Sequence, residues 1–172
     1  MGELARRVRT VREASSEVSL SSGRSEAVCN HVGMTEMPSI PTAGSIAIAD
    51  LTGDAVVRVP ADATVAEVAK AIADKQVGAV VVGDEARPTA LVTERDVVKV
   101  VAAGKDTAAT RAADVASTHL LWCAAEETVD QAAIRMTDHS IRHLLVERDG
   151  ALVGIVSARD LLGVYATDAD QV

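Results

Sequence analysis

The sequence predicts an α/β (α+β) protein with two tandem copies of one strand–helix–strand–strand–helix unit, related by pseudo-two-fold symmetry. The main observation is an internal repeat. Residues 46–101 align without a gap to residues 110–165, and 12 of the 56 pairs are identical. The composition is 48% hydrophobic but only 1% aromatic, so the core must consist of small aliphatic side chains. A unit of this length is too small to bury a core alone, so the two copies should pack face to face.

A flexible tail, residues 1–44, is predicted to precede the first unit at 45–106 and the second at 107–167. Residues 18–44 are rich in Ser, Gly, Thr and Pro, which is typical of a linker. Residues 1–17 fit either a frayed, solvated chain or a short amphipathic helix. The five arginines and five glutamates of the tail cancel, so the net charge of −8 belongs to residues 45–172.

The first unit contains three predicted strands and two main helices. Thr64-Val-Ala-Glu67 has the spacing of a capping box, in which the hydroxyl and the carboxylate each satisfy a free backbone amide. Apolar residues then recur at three- and four-residue intervals, and the face they should bury is Val65, Val68, Ala69 and Ile72. The other predicted elements are a helical turn at 49–51, a strand at 55–59, a buried strand at 79–82, a strand that ends at Val92, and a helix that starts near Thr93 and buries Val97, Val98 and Val101.

The second unit repeats each of these elements. Thr128-Val-Asp-Gln131 again has capping-box spacing, and the turn 148–150 contains the Asp-Gly pair that favours a tight hairpin. The residues that should face inward from the helix after Thr128 are Ala132, Ala133 and Met136. The other predicted elements are a strand at 120–124, hairpin strands at 143–146 and 151–156, and a helix that Ser157 opens.

The element order, the duplication and one shared motif resemble the CBS domain, named after cystathionine β-synthase. The motif is Gly-hydrophobic-x-Ser/Thr-x-x-Asp. It occurs as Gly-Ile-Val-Ser-Ala-Arg-Asp at 154–160 and as Ala-Leu-Val-Thr-Glu-Arg-Asp at 90–96. The resemblance covers about residues 45–167 and implies a tandem pair, or Bateman module, of the stand-alone bacterial type. Ala90 departs from the usual glycine and is expected to crowd a ligand in the first copy.

Each motif lies where a buried strand is followed by a helix. A helix N-terminus presents free backbone amides and a partial positive charge, which suits an anion. The hydroxyl of Thr93 or Ser157 can bond its own helix or a phosphate oxygen. The aspartate one turn later, Asp96 or Asp160, can accept hydrogen bonds from two ribose hydroxyls. The same residues also fit a capping box that needs no ligand, and the residues alone leave both interpretations open.

The resemblance implies an adenosine-ligand site at these positions. In the family, motif residues commonly bind ribose and phosphate, and basic residues at the start of the central strand face phosphate. In the first copy that strand starts with Gly78 and Ala79, which would leave space for an adenine ring or for nothing. Ala63 and Glu127 stand where the family often has a ligand-contacting threonine, and Glu127 would disfavour phosphate. The nucleotide-binding residues implied in this way are Ser157, Arg159, Asp160, Arg142, His143, Thr93, Arg95, Asp96, Gly78 and Ala79.

The function that the resemblance implies is regulatory. The chain would sense AMP, ADP, ATP or S-adenosylmethionine, and its negative charge mildly favours AMP or S-adenosylmethionine over ATP. No catalytic residue and no required cofactor is expected, because the sequence lacks the common nucleophile, phosphate-loop and zinc motifs. The ligand would favour one placement of the two copies. The signal would pass to an unknown effector protein, and family members usually pair into homodimers through their helices.

Two other functions stay open on the sequence. The main alternative is a scaffold or dimerisation subunit whose clefts stay empty. A distant one is a metal- or redox-responsive protein that uses Cys123 with His139 and His143. The acidic charge argues against nucleic acid as a partner, and no apolar run is long enough to span a membrane. Two cysteines without a disulfide framework fit a cytoplasmic protein.

Overall fold

A computed structural model of the protein describes residues 42–52 and 55–169, so almost all of the predicted tail lies outside the described residues. The described part confirms the predicted α/β class and the duplicated unit. Short 3-10 turns occur at Ala43–Ser45, Ile48–Asp50 and Ala112–Asp114. The helices and strands, in chain order, are β1 (Arg58–Val59), α1 (Val65–Lys75), β2 (Ala79–Val82), β3 (Ala90–Thr93), α2 (Glu94–Ala102), β4 (Trp122–Ala124), α3 (Val129–Asp138), β5 (His143–Arg148), β6 (Ala151–Ser157) and α4 (Ala158–Ala169).

Each copy contributes one three-stranded sheet with the same topology. The strand orders are β1-β2-β3 and β4-β5-β6, and in each sheet the first pair is parallel and the second antiparallel. Ala79 pairs with Thr93 in the first sheet, and His143 pairs with Ser157 in the second. The register therefore places the start of each central strand beside the start of the helix that follows the sheet.

The helix starts of α1 and α3 confirm the two predicted capping boxes. The Glu67 amide donates to the Thr64 hydroxyl, and the Thr64 amide donates to the Glu67 carboxylate at 2.7 Å. Thr128 and Gln131 make the same pair of bonds. A cap of this kind stabilises a helix by about 1 kcal/mol, so both copies fix their first helix in the same way.

The segment that precedes the first strand of each copy packs against the other copy. Ile48 donates its amide to the Glu127 carbonyl at 2.8 Å, and the apolar side chains of 46–51 lie in the core of the second copy. In the opposite direction, Ala112 donates to the Ala63 carbonyl at 2.7 Å and is buried in the core of the first copy. We call residues 43–52 and 107–117 the crossed segments. The predicted boundaries at 45, 106 and 167 separate the two copies along the sequence. In space, each packed lobe also contains the crossed segment of the other copy.

A third apolar cluster joins the two sheets. Its buried members come from both copies: Ala79, Val81, Leu91 and Leu145. Above this cluster the turn between β2 and β3 contacts the second copy. There Arg87 forms an ion pair with Glu147 and lies over the Trp122 ring at 4.3 Å. The interface between the copies, which we call the seam, is thus a packed core with a polar rim.

The prediction for α2 was wrong about which face is buried. Val98 and Val101 are 64% and 60% exposed, and the fully buried residue is Val100, beside partly buried Val97. Apolar residues occur on two faces of this helix, and the sequence does not say which one meets the sheet. The strands β1 and β4 are also shorter than predicted, because only residues 58–59 and 122–124 form ladders.

Within the described residues, no helix combines the length and the apolar character needed to cross a bilayer.

Candidate functional site

Two clefts open along the seam, and each combines residues of both copies. The larger one, which we call the Asp160 cleft, has a volume of about 470 Å³. Its polar wall is the start of α4, and its opposite wall is the start of β2 with the segment before β1. The predicted site residues that line it are Ser157, Arg159, Asp160, Arg142, His143, Gly78 and Ala79.

The smaller one, which we call the Asp96 cleft, has a volume of about 190 Å³. It lies at the start of α2 and faces the start of β5 and the segment before β4. The predicted site residues that line it are Thr93, Arg95, Asp96, Arg142 and His143. All ten predicted residues therefore lie at a cleft, and Arg142 and His143 border both of them.

The two helix starts have the same hydrogen bonds. Ser157 donates its amide and its hydroxyl to Asp160 Oδ2 at 2.8 and 2.7 Å. Thr93 donates in the same way to Asp96 Oδ2 at 3.1 and 2.7 Å. The helix-capping role is thus realised at both sites, in residues that also line a cleft. One carboxylate oxygen is engaged by the cap, which leaves Oδ1 rather than both oxygens for a ribose.

The two remaining carboxylate oxygens differ. Asp96 Oδ1 accepts a hydrogen bond from Lys99 Nζ at 3.0 Å. Among the described residues, no donor is recorded on Asp160 Oδ1. Burial by itself would raise the pKa of Asp96, but the bonds from Thr93 and Lys99 together outweigh it, and its pKa lies below the usual value. Asp96 is therefore ionised at neutral pH with its bonding capacity largely used.

His143 crosses the seam at a glycine. A Cβ added to Gly78 would lie 2.6 Å from His143 Nε2, so only glycine leaves the imidazole its place. Burial, followed by the charge of Arg142, lowers the pKa of His143, while Glu94 and Asp160 oppose the shift. The imidazole is therefore neutral at neutral pH, and beside both clefts it offers one donor and one acceptor.

The structure corrects the expected effect of the glycine in the motif. A Cβ on Gly154 would lie 2.7 Å from Thr52 Cβ, in a crossed segment, and neither Gly154 nor Ala90 lines a cleft. The glycine makes room for the protein's own chain rather than for a ligand. In the first copy Ala90 and Ala116, which is the counterpart of Thr52 in the repeat, both pack against the core of the first lobe, and Ala90 lies outside the Asp96 cleft.

The expected influence of Ala63 and Glu127 on a ligand is also wrong. Ala63 is buried in the core of the first copy. Glu127 accepts the Ala124 amide at 2.9 Å and lies 2.8 Å from the Arg135 guanidinium. Neither residue lines a cleft, because the position before the helix threonine points into the lobe.

Several cleft residues escaped sequence reasoning. Glu94 and Lys75 reach the Asp160 cleft, and Lys99 and His119 reach the Asp96 cleft. Lys99 was detectable, because a residue three positions after Asp96 lies on the same helix face. The others carried no signal, since their position depends on how the two copies meet.

The metal and redox alternative finds no support at Cys123. The thiol is buried, and burial, followed by the Glu127 charge, raises its pKa to about 11, so the reactive thiolate is absent at neutral pH. In the described part of the chain, no three His, Cys, Asp or Glu side chains are grouped to hold a metal ion.

Comparison with known proteins identifies the repeated unit. Residues 48–103 and 112–167 each match the CBS domain. The chain belongs to the CBS domain family. A curated relative, an uncharacterized protein of Methanopyrus kandleri, is 36% identical over 104 residues, which are 59% of this chain and 53% of that protein. This chain thus spans about half the length of the curated relatives it matches.

Solved structures of CBS proteins share the fold. A CBS domain protein of Pyrobaculum aerophilum complexed with AMP is 32% identical, with a TM-score of 0.64 over 73% of this chain and 99% of that one. A CBS-domain protein of Agrobacterium tumefaciens is 31% identical, with a TM-score of 0.65 over 70% of this chain and 94% of that one. Residues 48–167 therefore form a tandem CBS pair, as the resemblance implied.

Proposed function

We propose that this CBS pair is a regulatory module that binds an adenosyl ligand in the Asp160 cleft. The observation that carries the proposal is the cleft itself. Its volume of about 470 Å³ lies in the range of about 300–1,000 Å³ that small-molecule sites occupy. A CBS protein that is 32% identical has been solved with AMP, which supports an adenosine ligand as a class.

The lining of the Asp160 cleft suits the parts of such a ligand. Asp160 Oδ1 would accept a ribose hydroxyl. Arg142 and Arg159 would face a phosphate, or the carboxylate of S-adenosylmethionine. The apolar wall that an adenine ring would contact is Val56, Val57, Val77 and Ile155. AMP, ADP, ATP and S-adenosylmethionine are the candidates, and the proposed role is regulatory rather than catalytic.

Regulation would follow from the position of the cleft between the copies. A ligand that contacts α4 and the start of β2 binds best in one relative placement of the two sheets. It can shift the population of placements only by its difference in affinity between them. The signal would then pass to an effector protein that recognises one placement.

A thermal-shift series with AMP, ADP, ATP, S-adenosylmethionine and NADH tests this function. At 100 times its dissociation constant a ligand stabilises the folded state by ~2.7 kcal/mol. We expect Asp160→Ala to abolish the shift and the matched change Asp96→Ala to retain it. Absence of a shift with every ligand would favour the second candidate, a scaffold with empty clefts.

The scaffold candidate has its own observation, exposed apolar residues at equivalent places on α2 and α4. Val98 and Leu162 occupy equivalent places in the two copies and are 64% and 68% exposed. Val101 and Tyr165 are the next equivalent pair, and both are exposed. We propose that these exposed faces of α2 and α4 pair two chains into a homodimer, with or without ligand, because exposed apolar patches mark interaction sites.

A further inference from the structure

The two clefts differ at one position that is equivalent in the repeat. Lys99 in α2 corresponds to Gly163 in α4. The Lys99 ammonium lies 3.0 Å from Asp96 Oδ1, and the Asp96 side chain is only 14% exposed. Glycine has no side chain, so no ammonium group extends from this position toward Asp160.

The difference falls on the atom that would hold a ribose. In both copies Oδ2 of the aspartate accepts the cap bonds from serine or threonine. In the Asp96 cleft Lys99 takes the other oxygen as well. A ribose hydroxyl that enters there must compete with the ammonium for Asp96 Oδ1, in a cleft that Arg95 and Arg142 also line.

The volume of the Asp96 cleft also argues against a ligand there. Lys99 lines the Asp96 cleft, whose volume of about 190 Å³ is below the range of about 300–1,000 Å³ for small-molecule sites. An exposed ion pair is weak by itself. The closure therefore depends on two effects together, the space that the lysine side chain fills and the acceptor that it occupies.

We propose that Lys99 is a specificity-determining residue that closes the Asp96 cleft to adenosyl ligands. Each chain then binds one equivalent, in the Asp160 cleft, although the motif occurs twice. This inference rests on the proposed function of the Asp160 cleft. It adds that the duplicated motif caps a helix in both copies but supplies a nucleoside site in only one.

Isothermal titration of the full chain with AMP, and separately with S-adenosylmethionine, tests the inference through stoichiometry. We expect one equivalent for the wild type, two for Lys99→Ala, and one for the control Lys99→Arg, which keeps a cation on a side chain of similar length. The double variant Lys99→Ala/Asp160→Ala should retain one equivalent, now in the Asp96 cleft.

The reciprocal variant Gly163→Lys places the ammonium beside Asp160 and should weaken binding at least tenfold. A thermal melt without ligand shows whether this variant is folded, and the Lys99 variants test the inference independently of it. Two equivalents for the wild type, or one for Lys99→Ala, would overturn the role of Lys99 and leave the proposed function standing. No binding by the wild type with either ligand would overturn the proposed function, and the inference with it.

Discussion

The two copies agree on their outer helices and differ along the seam. Outside, Val98 and Leu162 are exposed at the same place of the repeat. At the seam the first copy has Gly78 where the second has Arg142, and the added Cβ that Gly78 lacks would collide with His143. The difference is complementary, since space in one copy is filled by a side chain of the other. The two copies therefore share their exposed helix positions, whereas the residues that line their clefts differ.

A charged substitution on the exposed face of α2 or α4 tests the proposed homodimer. We expect Leu162→Glu to raise the dissociation constant of the proposed homodimer about a hundredfold, or about 2.8 kcal/mol, because the carboxylate would be buried without a partner. Val98→Glu should act similarly. Sedimentation equilibrium measures both, and Ile134→Glu is the control, because Ile134 is 61% exposed on α3, outside this face. A dimer unaffected by both changes would place the interface elsewhere.

The residues at the equivalent positions 154 and 90 can be exchanged by mutation. We expect Gly154→Ala to destabilise the fold by about 1–3 kcal/mol, because its Cβ would overlap Thr52 in a packed region. Ala90→Gly, the matched change in the first copy, should cost less than about 1.5 kcal/mol. Urea denaturation measures both. Thr52→Gly should recover part of the Gly154→Ala loss, and strictly additive losses would contradict the contact.

The smallest expected effect is the pH dependence from His143. Its folded pKa lies below 6.5, so the unfolded chain takes up a proton more readily. Stability is then fully present above about pH 6.5 and decreases as the pH falls through the lowered pKa of the folded state. Burial of the imidazole is the main cause of the lowered pKa, followed by the charge of Arg142, while Glu94 and Asp160 oppose it. We expect the difference in melting temperature between about pH 8 and about pH 5 to shrink in His143→Gln. An unchanged difference would assign the dependence to other groups.

Local sequence signals predicted what local physics decides. The capping pairs at Thr64 and Thr128 and the Asp-Gly turn follow from short-range hydrogen bonds and backbone preference. In that turn Asp149 and Gly150 have φ values of 53° and 77°, as a two-residue hairpin requires. The repeat added the one long-range fact that a single sequence can carry, namely that the two motifs occupy equivalent places.

Residues whose position depends on the meeting of the copies were not predictable in the same way. Val98 reads as a core residue until the orientation of α2 is known. Gly154 reads as a ligand contact until Thr52 is found against it. The position of Glu94 in the Asp160 cleft was not predictable from the sequence, because the opposite wall belongs to the other copy. The motif located the clefts, and the packing across the seam decided their size and charge.

The crossed segments set an order for the folding of this chain. Ile46, Ile48 and Leu51 complete a core whose other members extend from Cys123 to Val164. During synthesis these early residues leave the ribosome long before their partners exist. Their side chains stay exposed to solvent, or bind another molecule, until the last helix has been synthesised. Contacts between such distant residues slow folding, and neither half of the chain can finish its interior without the other.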